Sequence, residues 1–349
     1  MRKKNSVNSK DFRNIIEILE KLSEIASPSG FTKEIITHVQ ELLETNSIKT
    51  RLTNKGGLIA GNHPKPRTIV SGHVDTLGAM VSQINSDGTL SITKIGGLLL
   101  PTFEGSYVSV ALENGQKIRG TLLLKNPSAH VNLEAGTKER KVEGMHIRLD
   151  KEVRSKQDTE KLEVQIGDFV LFDSRFEYTE SGYVKSHFLD DKAGVACMIA
   201  AILELGEKKM AKIPASFFFS NYEEVGHGAS GGLPEGAEEM IVVDMGVVGT
   251  DVAGEEQAVS ICVKDSSGPY DFETRLKLVR LARENEIPHK LDVFPFYGSD
   301  GSAALRAGYS LRVGLIGPGI SASHGMERTH QTGLVATKNL LKAYLESFL

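Results

Sequence analysis

The stretch Ala215-Ser216-Phe217-Phe218-Phe219-Ser220-Asn221-Tyr222-Glu223-Glu224 decides the fold, because it joins an apolar run of buried-strand length to two adjacent acids. Paired glutamates usually lie on a solvated surface. Three consecutive phenylalanines, however, are too apolar for a surface segment. We therefore interpret Glu223-Glu224 as part of a functional site at the end of a buried strand.

Two other apolar runs end in the same way. Met240 to Val243 is followed by Asp244, and Thr68 to Val70 is followed by His73, with Asp75 two residues further on. Residues two apart on an extended segment share a face, so we expect the Asp75 carboxylate to accept the second N–H of His73. Open α/β sheets bind ligands at the carboxyl ends of their strands, and these ends therefore favour one shared site.

The segment Leu189-Asp190-Asp191-Lys192-Ala193-Gly194 precedes an apolar helical pattern that starts at Val195. Its aspartates could simply cap the helix, an interaction that contributes about 0.3–1 kcal/mol. Two adjacent buried acids are costly, however, unless a cation holds them. A cation site is therefore the alternative to a cap.

A histidine completes the set of candidate ligands. His324 lies in the polar loop before the last helix, and His330 follows six residues later. The residues alone do not decide which of the two is the ligand. Zinc binds imidazole nitrogen and carboxylate oxygen, and a two-metal centre needs a carboxylate that bridges the ions. The set predicts a two-zinc hydrolase site.

The pattern changes between residues 77 and 185, where short β-like runs are separated by turn residues. Asn114-Gly115, between the runs Tyr107 to Leu112 and Gln116 to Leu124, predicts a hairpin. We expect an α/β catalytic domain formed by residues 1–76 and 186–349, with a small all-β domain inserted at 77–185.

Composition limits the alternatives. The 349 residues are 40% hydrophobic and 25% charged, which favours two domains over one core. A formal net charge of −4 gives no reason to expect nucleic acid or an anionic membrane as a partner. Cys197 and Cys262 predict no disulfide framework. No apolar run approaches the roughly 20 residues of a membrane span, so we expect a cytoplasmic protein.

The order H-x-D, L-D-D-K-A-G, E-E-V-G, V-V-D and His resembles the dinuclear zinc aminopeptidases of the tetrahedral (TET) and glutamyl aminopeptidase type, a family that also includes proteins described as endoglucanases. The resemblance covers essentially the whole chain and implies a mixed-sheet catalytic domain. It makes Asp190 the bridging carboxylate. His73 and Asp244 would complete one site, and Glu224 and His324 the other. Glu223 becomes the general base, and Asp75 orients His73.

The resemblance also implies features outside the ligands. Gly298-Ser299-Asp300-Gly301 is similar to the family's G-T-D-A loop near the substrate pocket. The Asp190-Asp191 peptide bond is expected to be cis. The cofactors would be two divalent ions, with zinc first and cobalt or manganese as alternatives. The substrates would be short peptides, and the β domain would form dimers that assemble into a dodecamer.

Two segments depart from the family pattern. His227 stands where an arginine is common after E-E-x-G, and the loop of His324 lacks the usual H-S-P-x-x-E run. The departures concern substrate specificity and the fifth ligand. Gly298, Ser299, Asp300, His227 and His330 are therefore our candidate substrate contacts.

Three other functions fit parts of the sequence. A metal-dependent amidase or deacylase acting on a small N-acylated compound would use the same residues. A non-catalytic metal-binding assembly protein or peptide-binding protein would need no general base, so Glu223 argues against it. A glycosidase needs two carboxylates and no metal. A serine hydrolase is disfavoured because the chain has no G-x-S-x-G motif.

Overall fold

In the computed structural model the chain is described over residues 9–349. The strands are β1 (Thr50–Leu52), β2 (Leu58–Ala60), β3 (Thr68–His73), β4 (Gly78–Ile84), β5 (Leu90–Ile95), β6 (Tyr107–Ala111), β7 (Lys117–Leu124), β8 (Met145–Leu149), β9 (Phe169–Phe172), β10 (Glu177–Tyr178), β11 (Tyr183–Ser186), β12 (Ala215–Ser220), β13 (Glu239–Val243), β14 (Gly246–Val248), β15 (Val259–Asp265), β16 (Gly268–Pro269), β17 (His289–Val293), β18 (Arg312–Ser321) and β19 (Glu327–His330). The helices are α1 (Ser9–Glu24), α2 (Lys33–Thr45), α3 (Leu100–Phe103), α4 (Lys156–Glu160), α5 (Leu189–Met210), α6 (Phe272–Glu284), α7 (Asp300–Arg306) and α8 (Gln331–Glu346), with a 3-10 turn at Val142–Gly144.

Thirteen of the strands in the described residues form one mixed sheet, whose main path runs β1-β2-β12-β3-β13-β18-β19-β11-β10. The central strands β12, β3, β13 and β18 are parallel, whereas β2 joins β12 in the antiparallel direction. The predicted α/β class with a mixed sheet is confirmed. All residues of β3 and β12 are buried, as expected for parallel strands covered by helices on both faces.

The helix α5 is the centre of the larger hydrophobic core. It packs against α1 and α8, and almost all of its side chains from Leu189 to Ile202 are buried. Cys197 on this helix and Cys262 on β15 are both buried and free. Because α5 is covered on all sides, its N-terminal end is held firmly against the sheet.

The other six strands close into a barrel in the order β4-β5-β8-β7-β6-β9, with its own apolar core. The predicted hairpin is present, since β6 and β7 pair on either side of Asn114-Gly115. The strands β10 and β11 pair with each other and with β19 of the large sheet. The chain thus returns from the barrel before Glu177, earlier than the change of pattern at residue 185 indicates. The reason is that the turn residues Glu180-Ser181-Gly182 between β10 and β11 are of the same kind as those between barrel strands.

Within residues 9–349, none of the helices combines the length and the apolar character that crossing a membrane requires.

Candidate metal centre

The predicted ligands meet where the parallel strands of the large sheet end. His73 is the last residue of β3, and it lies in register with Ser220, the last residue of β12. Asp244 follows the last residue of β13, and its N–H donates to the carbonyl of Ile316 on β18. The shared register places His73, Asp244 and the loop that begins after Ser220 at one edge.

The Asp190 carboxylate lies between two imidazoles. Its Oδ1 is 3.2 Å from Nε2 of His73, and its Oδ2 is 3.7 Å from Nε2 of His324. The Nε2 atom of His324 is also 3.8 Å from Oε2 of Glu224. One carboxylate that presents an oxygen to each histidine has the arrangement of a bridging ligand. The Asp190-Asp191 peptide bond is cis, as the resemblance implies.

Asp191 combines the two roles between which the sequence could not decide. Its Oδ1 accepts the N–H of Gly194 at 3.2 Å, which caps the start of the regular helix. Its carboxylate also belongs to a group with His73 and Asp244 in which the ligand atoms lie within 4.8 Å of one another. His73, Asp190 and Glu224 form a second such group. A position beside His73 and Asp244 goes beyond the sequence prediction, in which Asp191 has no ligand role.

Two carboxylate oxygens in this cluster show that it fits a cation. Oδ2 of Asp191 and Oε1 of Glu224 are buried, and neither has a hydrogen-bond partner within the described part of the chain. An unpaired buried carboxylate oxygen is costly unless a cation or a proton meets it. Imidazole nitrogens and carboxylate oxygens are ligands that zinc accepts. The donor set therefore fits divalent metal ions.

The protonation equilibria of the cluster support the same conclusion. Burial, followed by the nearby charge of Asp190, raises the pKa of the Asp244 carboxyl to about 7. Burial is also the largest cause that raises the pKa of Glu223, Glu224 and Asp191 well above the ordinary value. For His73, burial lowers the pKa, but the hydrogen bond that the ring donates to Asp190 and the surrounding carboxylates raise it well above its ordinary value. Without a cation, these groups therefore bind protons more tightly than they do in their ordinary environment.

The two imidazoles have their tautomers fixed by main-chain carbonyl oxygens. Nδ1 of His73 lies 2.8 Å from the carbonyl oxygen of Asp75, whereas the Asp75 carboxylate oxygen is 3.8 Å away. Nδ1 of His324 lies 3.3 Å from the carbonyl oxygen of Gly97. A carbonyl only accepts, so each Nδ1 carries a proton, and each Nε2 faces the cluster, where its lone pair can bind a metal ion once the imidazole is neutral.

Asp75 therefore orients His73 through its main chain, not through the carboxylate that the sequence pattern suggested. The alternation of faces does not continue past His73, because β3 ends there. The Asp75 carboxylate accepts instead from the N–H groups of Glu223 at 3.1 Å and Glu224 at 3.3 Å, and from the Ser29 hydroxyl. This side chain thus positions the glutamate pair.

The two glutamates differ in what they face. The Glu224 side chain is 5% exposed and points into the cluster, whereas Glu223 is 16% exposed, with Oε2 3.9 Å from Nε2 of His73. Both line the same cleft. Glu223, the more exposed of the two, lies next to the ligand cluster and also faces the solvent in the cleft.

Glu327 is a site residue to which the sequence analysis gave no role. Its Oε1 accepts the N–H of His324 at 2.9 Å, and its Oε2 accepts the N–H of Asp190 at 3.0 Å. The side chain is almost completely buried at the start of β19. One carboxylate thus fixes the backbone of two ligand residues that lie far apart in sequence. Its position three residues after His324 was the only available signal.

The cluster opens into a cleft of about 440 Å³. Its lining consists of Leu99, Asp190, Glu223, Glu224, Gly226, Asp244, Met245, Val247, Phe296, Tyr297, Gly298, Ser299, Arg306, Ser323 and His324. Gly298 and Ser299 are therefore where a substrate contact would be. Ser299 also caps α7 through a capping box with Ser302.

The three other candidate substrate contacts lie elsewhere. Asp300 is buried, and its carboxylate accepts the Ser71 hydroxyl and the N–H of Ala229, which ties β3 to the loop after the glutamates. His227 stacks on Tyr222 with ring centres 5.0 Å apart. His330 has Nε2 3.1 Å from the carbonyl of Ser181, and its Nδ1 accepts from Thr332 to cap α8. None of these three side chains is among those that line the cleft.

An α/β sheet edge that gathers imidazoles and carboxylates around a cleft defines the class of hydrolases that hold divalent metal ions. Comparison with known proteins identifies the family within that class. The model of the M42 glutamyl aminopeptidase family matches residues 56–340. The chain belongs to this family and is a peptide hydrolase.

The similarity extends to individual proteins. The chain is 44% identical over 340 residues to the Bacillus subtilis (strain 168) protein named "Putative aminopeptidase YhfE", covering 96% of this chain and 98% of the relative. An aminopeptidase from the archaeon Desulfurococcus kamchatkensis has a similar structure, with a TM-score of 0.84, 24% identity, and coverage of 96% and 95% of the two chains. The Pyrococcus horikoshii TET1 peptidase gives a TM-score of 0.85, 24% identity, and coverage of 95% and 99%.

Proposed function

We propose that this protein is a metal-dependent aminopeptidase that releases N-terminal residues from short peptides, with Glu223 as the general base. The observation that carries the proposal is the placement of Asp190 between His73 and His324, with Glu223 beside them on the cleft side. Membership of the M42 family supports the reaction class.

Five side chains would hold two divalent ions, with zinc first and cobalt or manganese as alternatives. Asp190 would serve both ions. His73 and Asp244 would complete one site, and Glu224 and His324 the other. When bound, such ions act as Lewis acids that lower the pKa of water and stabilise developing negative charge. Asp191 lies beside His73 and Asp244, where its unpaired oxygen adds negative charge to that site.

Glu223 would take a proton from the attacking water and pass it to the amine that leaves. Positioned proton transfer of this kind contributes about 10²–10⁴ to the rate. Asp75 accepts the N–H of Glu223 and thereby fixes the main chain that carries the base beside the cluster. The exposure of Glu223 towards the cleft gives it access to both groups between which the proton moves.

The charge and size of the cleft favour a free peptide N-terminus. Of the carboxylates that line it, that of Glu223 is not assigned to an ion and can attract an ammonium group. A volume of about 440 Å³ holds only a few residues, which favours short peptides over folded proteins.

One panel of substrates tests this function. Chelator-stripped protein, reloaded with zinc, cobalt or manganese, would be assayed on aminoacyl amides and short peptides and on their N-acetylated counterparts. We expect hydrolysis of the free amines, none of the N-acetylated compounds, and recovery that depends on the metal. Cleavage of the N-acetylated compounds alone would make the protein a deacylase. Two bound ions without turnover on any compound would make it a binding protein.

We also propose that the chain forms a cytoplasmic homo-oligomer, with dimers that assemble into a dodecamer through the barrel domain. The support is structural similarity, because one Pyrococcus horikoshii TET1 structure is described as a dodecamer. Light scattering tests this assembly, and a monomer at micromolar concentration would refute it.

A further inference from the structure

The segment Gly96–Phe103 connects the barrel strands β5 and β6, includes α3, and has side chains that face in two directions. Leu98, Leu100 and Phe103 are buried in the barrel core, and Lys94 donates to the carbonyl of Leu98 at 3.1 Å. Leu99, between two of these anchors, is 50% exposed and lines the cleft of the metal centre. The barrel thus supplies part of the cleft wall, although the ligands all come from the other domain.

Gly97 in this segment contacts His324 directly. Its carbonyl oxygen lies 3.3 Å from Nδ1 of His324, which leaves Nε2 to face Asp190 and Glu224. The approach requires glycine, because a Cβ at this position would lie 2.6 Å from Nδ1 and 2.9 Å from Cε1 of His324. Any other residue would push the imidazole out of place.

A second contact joins the same segment to the residue after His324. The rings of Phe103 and His187 stack with centres 4.2 Å apart. Nδ1 of His187 lies 2.6 Å from the carbonyl oxygen of Gly325. His187 is buried, and its Nδ1 must carry the proton that the carbonyl accepts. The ring therefore connects the barrel segment to the loop of His324.

We propose that the Gly96–Phe103 segment is part of the active site, in which Gly97 and His187 position His324 and Leu99 contacts the N-terminal side chain of the substrate. Gly97 and His187 are positioning residues, since they act through the imidazole and its loop. The role of Leu99 rests on the proposed aminopeptidase function, whereas the positioning of His324 concerns metal binding alone.

Two matched glycine variants test the contact with His324. Gly97→Ala adds a Cβ against the imidazole, whereas at Gly136, also in the barrel domain, an added Cβ meets nothing within 4 Å. We expect Gly97→Ala to weaken the binding of one of the two ions by about tenfold or more, a typical effect of losing a group that orients a ligand. Gly136→Ala is expected to bind both ions as the wild type does. Competition with a chromophoric chelator measures the affinities, and wild-type binding by Gly97→Ala would overturn the proposal.

A second pair keeps the test decisive if Gly97→Ala does not fold. His187→Leu preserves the bulk against Phe103 but removes the donor to Gly325, whereas His187→Asn can still donate from its amide. We expect His187→Leu to lose affinity for one ion and His187→Asn to retain more of it. Equal metal binding by both variants and the wild type would show that His187 does not position the loop. Thermal unfolding of the metal-free proteins identifies variants that fail through folding alone.

Leu99→Ala tests the specificity role, with Leu133→Ala as its control. Leu133 is 97% exposed on the barrel domain and is not among the cleft-lining residues. We expect Leu99→Ala to keep both ions and to lower kcat/KM for large apolar N-terminal residues relative to alanine by about tenfold. Unchanged ratios would refute the role of Leu99. If wild-type protein hydrolyses no peptide, the proposed function and the Leu99 role fail together, but the metal-binding results still decide the positioning role.

Discussion

The two histidines of the centre are held by different parts of the molecule. His73 ends a fully buried strand and is 2% exposed, with its neighbours paired on both sides in the sheet. His324 lies in a loop between β18 and β19, has a φ of +63°, and is 37% exposed. Sheet hydrogen bonds fix the strand that carries the first histidine, whereas contacts with Glu327, Gly97 and His187 hold the second histidine and its loop. One histidine is thus placed by the sheet, and the other by contacts that include the barrel segment.

Replacing Asp190, whose carboxylate faces both histidines, is expected to have the largest effect. Asp190→Asn replaces the oxygen pair that faces His73 and His324 with an amide, which bridges two cations poorly. We expect the variant to lose both ions and all measurable activity. Elemental analysis after gel filtration checks this. Retention of two ions would remove Asp190 from the bridging position.

Glu223→Gln should lower turnover and leave both metal sites intact. We expect activity to fall by about 10²–10⁴ because the general base is lost, while metal content stays near that of the wild type. Glu224→Gln is the matched control, since it neutralises a carboxylate whose oxygen lies 3.8 Å from Nε2 of His324, and it should lose one ion. The reverse pattern of metal loss would exchange the roles of the two glutamates.

Variants of His324 and His330 test the metal site that depends on the loop between β18 and β19. His324→Ala should lose one ion and nearly all activity, because its Nε2 faces Asp190 and Glu224. His330→Ala should keep both ions, since its nitrogens are bonded to Ser181 and Thr332. Metal analysis of both variants decides which of the two histidines is the fifth metal ligand. Zinc loss confined to His330→Ala would show that this ligand is His330 and not His324.

Removal of the metal gives the smallest effect, a change in how stability depends on pH. Burial raises the pKa of Asp244 to about 7, and the pKa values of Glu223 and Glu224 are also raised. A raised carboxyl pKa means that the folded state holds more protons, so stability falls as pH rises through the folded pKa. We expect the Tm of chelator-stripped protein to fall between about pH 5 and pH 8, and that of metal-loaded protein to fall less. Parallel thermal scans check the prediction, and identical slopes would contradict it.

Much of the fold and half of the centre could be predicted from the sequence, because their signals are local. Apolar runs that end at His73, Glu223 and Asp244 define strands and the edge where they meet. Asp191 was harder to interpret, since capping and metal binding use the same residue type. In the structure the Asp191 carboxylate caps the helix and also lies where it can contact a metal ion.

The parts that could not be predicted depend on contacts between distant segments. Gly97 gives no sequence signal, since its role lies in a contact with His324, 227 residues later. Glu327 resembles any loop glutamate until its two oxygens are seen to accept from His324 and Asp190. Asp300 and His330 were assigned to the substrate by motif and position, but their hydrogen bonds serve the scaffold.

The Asp75 carboxylate has a consequence for the folding pathway. Its partners Ser29, Glu223 and Glu224 lie 46, 148 and 149 residues away in the chain. Closing such long loops costs conformational entropy before any contact is gained, and non-local contacts of this kind form slowly. The glutamates can therefore reach their final positions only after β3 and β12 have paired. A chain still emerging from the ribosome has no completed centre, so its hydrolytic chemistry begins only once the chain is whole.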